Sequence, residues 1–294
     1  MLVVINVDDL GLHPAVRRAV DRLALSGDGH GVVTSSTVLA NGPDLSESVL
    51  LQDKHESLGL GAHLNLLRGK PISNPDHIPS LVDDDGLLFG NYTSLLLRYI
   101  TGRIKLSEIE MEWSAQVEYL LDHKVRLTHF DSEKHIHAWP GLYSLAEKIA
   151  RKYGIKWIRR PFEHTPMNRF DKGMLRTRFL QICLSASFPG EEPRTAECVW
   201  GIGDQKENLD PHLFKKYVET YRPEIVEIVC HPGLPEYADG PLPSEFGPMR
   251  VETQWKEESE SLLHKDWLDI FKELGATPVN YGQIDPRSGE IKKC

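Results

Sequence analysis

Cysteine is sparse in this chain and never closely paired. Four occur in 294 residues, Cys183, Cys198, Cys230 and Cys294, and no two form a CxxC pair. That spacing excludes a zinc ribbon and a thioredoxin-type dithiol, and a reducing, cytoplasmic compartment is the expectation. Long apolar runs are missing too. No stretch approaches the roughly 20 residues that span a bilayer. The opening apolar run is short, has no basic leader and leads into acids, so neither a secretory signal nor a membrane partner is expected. Positive charge is in deficit, with 34 Lys and Arg against 43 Asp and Glu and a net charge of −9. A surface of that sign does not suit nucleic acid as the main partner. Neither GxGxxG nor GxxxxGK[ST] occurs, so a nucleotide-binding loop lacks its fingerprint. No internal repeat and no low-complexity tract is present.

The chain does have 40% apolar and 26% charged residues, enough for a sizeable core. Strand-like and helix-like stretches alternate. Residues 2–7, 31–40, 58–66, 126–137, 155–161, 224–233 and 277–284 read as strands from their β-branched and apolar content. Helical periods run over 14–26, with Pro14 in the first turn, and over 43–54, 105–123, 141–154, 210–221 and 253–275. Three stretches near 68–103, 162–204 and 234–250 read as irregular loop insertions. This succession predicts a parallel sheet with helical crossovers. At this length the expected form is α/β, a distorted (β/α) barrel, TIM-barrel-like, in a single domain over residues 1–294. An open doubly wound sheet is the alternative.

In such folds the site gathers at the C-terminal ends of the strands. Those ends carry Asp8 and Asp9, His63 and Asn65, the segment THFDSEKHIH, Arg159 and Arg160, and His231. Within THFDSEKHIH, residues His129, Asp131, Glu133, His135 and His137 share one parity and would share one face of an extended strand. At about 3.3 Å per residue the row would span roughly 26 Å, so at most two of its members can share an ion. His135 and His137 are expected past the strand end. Carboxylate and imidazole together suit a divalent ion. The adjacent Asp8 and Asp9 then divide the work, one as ligand and one as base, and His231 is the natural acid.

These motifs resemble the YdjC-type carbohydrate deacetylases. NVDDLG stands where that family has N-A-D-D-F-G, GAHLNL carries its G-x-H strand, THFDSEKHIH its T-H-x-D-S-H-x-H-x-H strand, and CHPG its late C-H-P. The four occur in the family's order from residue 1 to about 235. The resemblance implies a distorted (β/α) barrel and metal-dependent removal of an acetyl group from an N-acetylated amino sugar. By position, Asp8 would be the general base, Asp9 and His63 metal ligands, and His231 the general acid or the group that polarises the acetyl carbonyl. Arg159 or Arg160 would hold substrate or orient a carboxylate. One departure stands out: the family's third ligand is a histidine, and here it is Glu133. Either Glu133 serves as a harder ligand or His135 reaches the ion. The expected metal is zinc or magnesium, with cobalt, nickel and manganese as further candidates.

Two other functions fit the residues less well. One is another metallohydrolase, amidohydrolase-like or phosphoesterase-like, on a similar barrel. Amidohydrolases place HxH on the first strand, whereas this one ends in DD. The other is a carbohydrate-binding protein whose metal site was lost with Glu133. A homodimer is the base-rate assembly. Structural roles compete at single positions: Asp8 and Asp9 as a turn before Pro14, His63 as a core histidine, His129 and Asp131 as supporting residues, and His231 as a turn former before Pro232. His13, His30, His55, His123, His164, His212 and His264 read as surface or packing residues, and Cys230 as an apolar filler. Trp139, Trp157 and Trp200 could stack on sugars, but packing is the commoner role of Trp.

Overall fold

The computed structural model describes residues 1–25, 31–166, 169–187, 192–247 and 250–292, so His30 and the predicted end of the first helix at Ser26 lie outside it. Eight strands are joined by helices in the order β1 (Leu2–Leu10), α1 (Pro14–Leu23), β2 (Ser35–Val38), α2 (Leu45–Ser48), α3 (Leu51–Lys54), β3 (Gly59–Leu64), α4 (Tyr92–Ile100), α5 (Leu106–Asp122), β4 (Leu127–Ser132), α6 (Leu142–Lys152), β5 (Trp157–Ile158), α7 (Lys172–Leu184), β6 (Cys198–Trp200), α8 (Pro211–Tyr221), β7 (Ile225–Cys230), α9 (Trp255–Leu262), α10 (Asp266–Glu273) and β8 (Thr277–Pro278). The strands form one sheet in the order β5-β4-β3-β2-β1-β7-β6, and β8 also pairs with β1. All these pairings are parallel. The sheet curls into a half-barrel, and a single bridge from Trp157 to Arg194 reaches across its open side.

Strand β1 shows what decides the curl. After its half-buried first residue it is buried throughout, as a parallel strand covered on both faces must be. Val3, Ile5 and Val7 pack in the large cluster that also holds Ala15, Val16, Ala19, Val20 and Leu23 of α1. Val4 instead joins Trp157, Ala196, Ile225, Val279, Tyr281 and Ile284 in a smaller apolar plug inside the curl. Asn6 and Asp8 follow Val4 on the same inward face, so the interior passes from apolar at the strand beginnings to polar at their ends. Gly61 of β3 is required here, because a Cβ in its place would lie 2.5 Å from the His129 ring. Trp139, Trp157 and Trp200 are fully buried, which makes them packing residues.

Several elements depart from the sequence reading. Residues 68–103 are not irregular throughout. They contain α4, whose N-cap Asn91 accepts the Ser94 N–H at 2.9 Å. The preceding loop is tied to α5, where Glu112 accepts the N–H groups of Ile72 and Ser73 at 2.9 Å each. The stretch 162–204 contains α7 and β6. Helix α7 escapes a periodicity search because its apolar residues do not keep to one face; Leu175 and Ile182 are 64% and 72% exposed. The segment 43–54 forms two short helices, α2 and α3. The last predicted helix breaks into α9 and α10. After the break Trp267 turns into the core and donates its ring N–H to the Ser261 carbonyl at 3.0 Å. The strand predicted over 126–137 ends at Ser132, and Glu133–Ala138 coils into a tight turn with Lys134 and His135 at φ +53° and +55°.

Candidate active site

Neighbouring side chains on a strand point to opposite faces, so Asp8 and Asp9 should diverge. They do not. Asp9 adopts φ +66°, and the β1–β2 register slips between Val7 and Leu10. Aspartate tolerates this left-handed conformation better than most side chains. The twist turns Asp9 back toward the centre, where its Oδ1 lies 3.4 Å from His63 Nε2. Glu133, carried in by the tight turn after β4, places Oε2 3.5 Å from the same nitrogen. Donor atoms of Asp9, His63 and Glu133 all lie within 4.8 Å of one another.

His63 is oriented by its other nitrogen. Nδ1–H donates to Asp131 Oδ1 at 2.7 Å, which aims the Nε2 lone pair at Asp9 and Glu133. Thr37 donates its hydroxyl to Asp131 Oδ2 at 2.9 Å. Asp8, His63 and Asp131 form a second group of donors within the same limit. There, however, a guanidinium already occupies the acceptors: Arg159 donates to both oxygens of Asp8 at 2.7 and 2.8 Å and approaches Asp131 Oδ2 at 2.6 Å. Asp9 Oδ1 and Glu133 Oε1, by contrast, are buried without a hydrogen-bond partner. Arg68 and Lys134 approach Glu133 Oε1 only to 3.6 and 3.8 Å. Two unpartnered buried carboxylate oxygens beside an aimed imidazole fit a divalent cation.

The electrostatics agree with that fit. Burial opposes charge on His63, but the Asp131 carboxylate, with Asp9 and Glu133 at the far nitrogen, raises its proton affinity well above the usual range. A cation at Nε2 would use the same anionic field and displace that proton. Burial alone would raise the Asp8 carboxyl, but the Arg159 guanidinium outweighs it and holds Asp8 well below the ordinary carboxylate range. Asp8 is therefore ionised at neutral pH. His231, on the loop after β7, sets Nε2 3.8 Å from Asp8 Oδ2 and Nδ1 3.8 Å from Glu258 Oε2. The buried Glu258 also accepts the His231 backbone N–H at 2.5 Å, which fixes the loop.

Of the residues expected from sequence, Asp8, Asp9, His63, Glu133, Arg159 and His231 meet in one place. Arg160 does not join them; its guanidinium lies 5.4 Å from the Phe162 ring centroid. Arg159 is fully buried with its donors committed to carboxylates. His135 is buried beside the centre, yet its atoms are not part of either donor group among the described residues. Burial pushes His129 and His137 down to about 3, with the Arg159 charge adding to the effect at His129, and both stay neutral. His129 Nε2 lies 3.0 Å from Asn6 Oδ1, and His137 Nε2 lies 2.8 Å from the Arg159 carbonyl. Both are supports. His13, expected at the surface or in packing, is buried and caps α1 by accepting the Ala15 N–H at 3.1 Å. Burial pushes the Cys230 thiol well up, in keeping with a filler. Two residues of the network went unforeseen, Glu227 and Tyr281. The signal for Glu227 was present: a lone acid inside the apolar run EIVEIVC.

A family model described as YdjC-like protein matches residues 2–273. A protein from Listeria monocytogenes named carbohydrate deacetylase is 34% identical over 234 residues, covering 80% of this chain and 82% of that one. One of the same name from Halalkalibacterium halodurans is 30% identical, covering 79% and 85%. Among solved structures, a candidate cellobiose-phosphate cleavage protein from Enterococcus faecalis superposes with a TM-score of 0.67 at 23% identity, over 95% of this chain and 97% of that one.

Proposed function

Since the chain belongs to the YdjC-like family, we propose that it is a metal-dependent carbohydrate deacetylase that hydrolyses the acetamide of N-acetylated amino sugars. The reading is carried by one observation: Asp9, His63 and Glu133 converge with two unpartnered buried oxygens, directly beside an ionised Asp8. The names of the relatives supply the substrate class. Asp9, His63 and Glu133 would hold the ion, zinc or magnesium, with cobalt, nickel and manganese also compatible with one imidazole and two carboxylates. Such an ion supplies Lewis acidity to the acetyl carbonyl and lowers the pKa of water.

The chain's own residues do the rest. Asp8, ionised at neutral pH, takes the proton of the attacking water. Arg159 pins both Asp8 oxygens, so the base does not swing toward the cation site. His231, half-buried beside Asp8, delivers a proton to the departing sugar amine. Asp131 holds His63 in the tautomer that leaves Nε2 free. The test is acetate release from N,N′-diacetylchitobiose by protein loaded with zinc, before and after chelation. Acetate that stops on chelation and returns on reloading is the expected result. No acetate across a panel of N-acetylated sugars, from protein that binds the ion, would overturn the deacetylase reading. Protein that binds no divalent ion at all would overturn the metal site.

A further inference from the structure

The Arg159 guanidinium has five N–H donors, and the interior provides five acceptor contacts for them. Nη1 reaches Asp8 Oδ2 at 2.8 Å and Asp131 Oδ2 at 2.6 Å. Nη2 reaches Asp8 Oδ1 at 2.7 Å and Glu227 Oε1 at 2.7 Å. Nε reaches Glu227 Oε1 at 2.8 Å. Two of the five therefore rest on Glu227, an acid on β7 that touches neither Asp9, His63 nor Glu133. Glu227 is held in turn by Tyr281, whose hydroxyl donates to Oε2 at 2.7 Å. Tyr281 stands in the short turn Tyr281–Gln283, wedged between the rings of His129 and Trp157 at 4.7 and 5.2 Å. Arg159, Asp131, Glu227, Tyr281, His129 and Trp157 are all buried to within 1%. The family match ends at residue 273, so Tyr281 enters the centre from beyond it.

We propose that Tyr281 and Glu227 are positioning residues for the reaction, acting through Arg159 on both the base and the metal site. Among the described residues, it is Glu227 that constrains the edge of the guanidinium carrying Nε. A glutamine there has one acceptor oxygen for the three donors that Glu227 now takes, Arg159 Nε–H and Nη2–H and the Tyr281 hydroxyl, so a donor is left facing the amide N–H groups in a sealed interior, and the fork tilts to find acceptors. A tilt moves Asp8, which Arg159 grips by both oxygens. It also moves Asp131, and with it His63 through the Nδ1 bond. The C-terminal turn thereby sets the geometry of a centre built on the other end of the strands. The catalytic half of this proposal rests on the deacetylase reading, but the metal half does not.

Tyr281→Phe and Glu227→Gln separate the outcomes. Supports of this kind change activity or metal affinity by roughly 10–100-fold. Glu227→Gln is expected to lower kcat for acetate release by about that factor with KM within about twofold, and to weaken cobalt(II) binding, read from visible absorption, by roughly 10-fold. Tyr281→Phe removes one oxygen and keeps the ring, and a smaller loss of the same pattern, roughly 3- to 10-fold, is expected. Folded variants with wild-type kcat and wild-type cobalt affinity, whatever their melting temperature, would overturn the proposal. A rise in KM alone would do the same. If the wild type releases no acetate, the deacetylase reading fails on its own, and an unchanged cobalt affinity in Glu227→Gln still refutes the positioning role. If Glu227→Gln does not fold, Tyr281→Phe decides.

Discussion

Asparagine at position 8 and asparagine at position 9 should produce opposite defects. Asp8 accepts from Arg159 Nη1 and Nη2 and from Asn6 Nδ2 at 2.8, 2.7 and 2.9 Å. An amide has one acceptor oxygen, so in Asp8→Asn one N–H must face one Arg159 N–H. A buried donor left unpaired costs on the order of 1–3 kcal/mol, which in a chain of this size lowers Tm by roughly 2–10 °C. The protein stays folded and Asp9, His63 and Glu133 all remain, so metal is retained on dialysis, its affinity weakened by no more than the roughly 10-fold expected of a disturbed Arg159 fork. What disappears is the base. General-base removal costs roughly 10²- to 10⁴-fold in rate, or about 3–5 kcal/mol of barrier. Asp9→Asn keeps Asp8 and its Arg159 clamp but removes one charged donor of three, so metal is lost on dialysis and activity returns in part at high free metal. Metal analysis and acetate-release kinetics on both variants decide the matter. Metal lost with Asp8→Asn and kept with Asp9→Asn would reverse the assignment of base and ligand.

Other perturbations follow from neighbouring geometry. Glu133→His replaces a hard donor with a softer one; competitive titration should show the zinc-over-magnesium preference rising, and an unchanged preference would place Glu133 outside the ion's ligands. Gly61→Ala puts a Cβ 2.5 Å from a His129 ring that is held at Asn6 and Tyr281. Overpacking of this kind costs about 1–3 kcal/mol, so a thermal melt should fall by several degrees, and no fall would mean the ring is free to move. Glu163 lies on the loop after β5, with its oxygens accepting the N–H groups of Gly201 and Gly203 at 3.1 and 2.6 Å. Burial pushes its carboxyl up to about 8 from the ordinary 4.5. The fold thus binds this proton more tightly than the unfolded chain, and its contribution is full below about pH 4.5 and lost as pH rises through about 8. Melting between pH 5 and 9 should show the wild type losing up to about 1.4 kcal/mol per pH unit relative to Glu163→Gln; parallel curves would refute it.

The residues that hold the chemistry were legible because each is a polar interruption of an apolar strand end: DD after VINV, H in GAHL, RR after WI, H after IVC. The half-barrel was legible for the related reason that the buried strands alternate with helices whose apolar residues recur every third or fourth position. What could not be read is how the backbone re-aims those residues. Alternation along an extended chain separates Asp8 from Asp9 and lines up Glu133 with Asp131. The fold instead gathers all four around His63, by a left-handed residue at Asp9 and by a turn at Glu133 with two more left-handed residues behind it, so that Asp131 meets one ring nitrogen and Glu133 the other. None of Asp9, Lys134 and His135 is glycine, so no residue type announces the bend. Strain of about 1–3 kcal/mol at each such position persists only where the surroundings over-determine it, and here the surroundings are the Arg159 network and the packed turn. Tyr281 was out of reach for a different reason: nothing local marks it, and its partner Glu227 lies 54 positions away. The inward acid on β7 was the available clue. A carboxylate in the middle of a buried strand needs a cation within reach, and the one arginine pair at a strand end was WIRRP. That argument leads from Glu227 to Arg159, and from Arg159 to the aspartate it must orient, before any coordinate is known. It stops short of Tyr281, because three carboxylates already provide acceptors for the five N–H donors of Arg159 without a phenol.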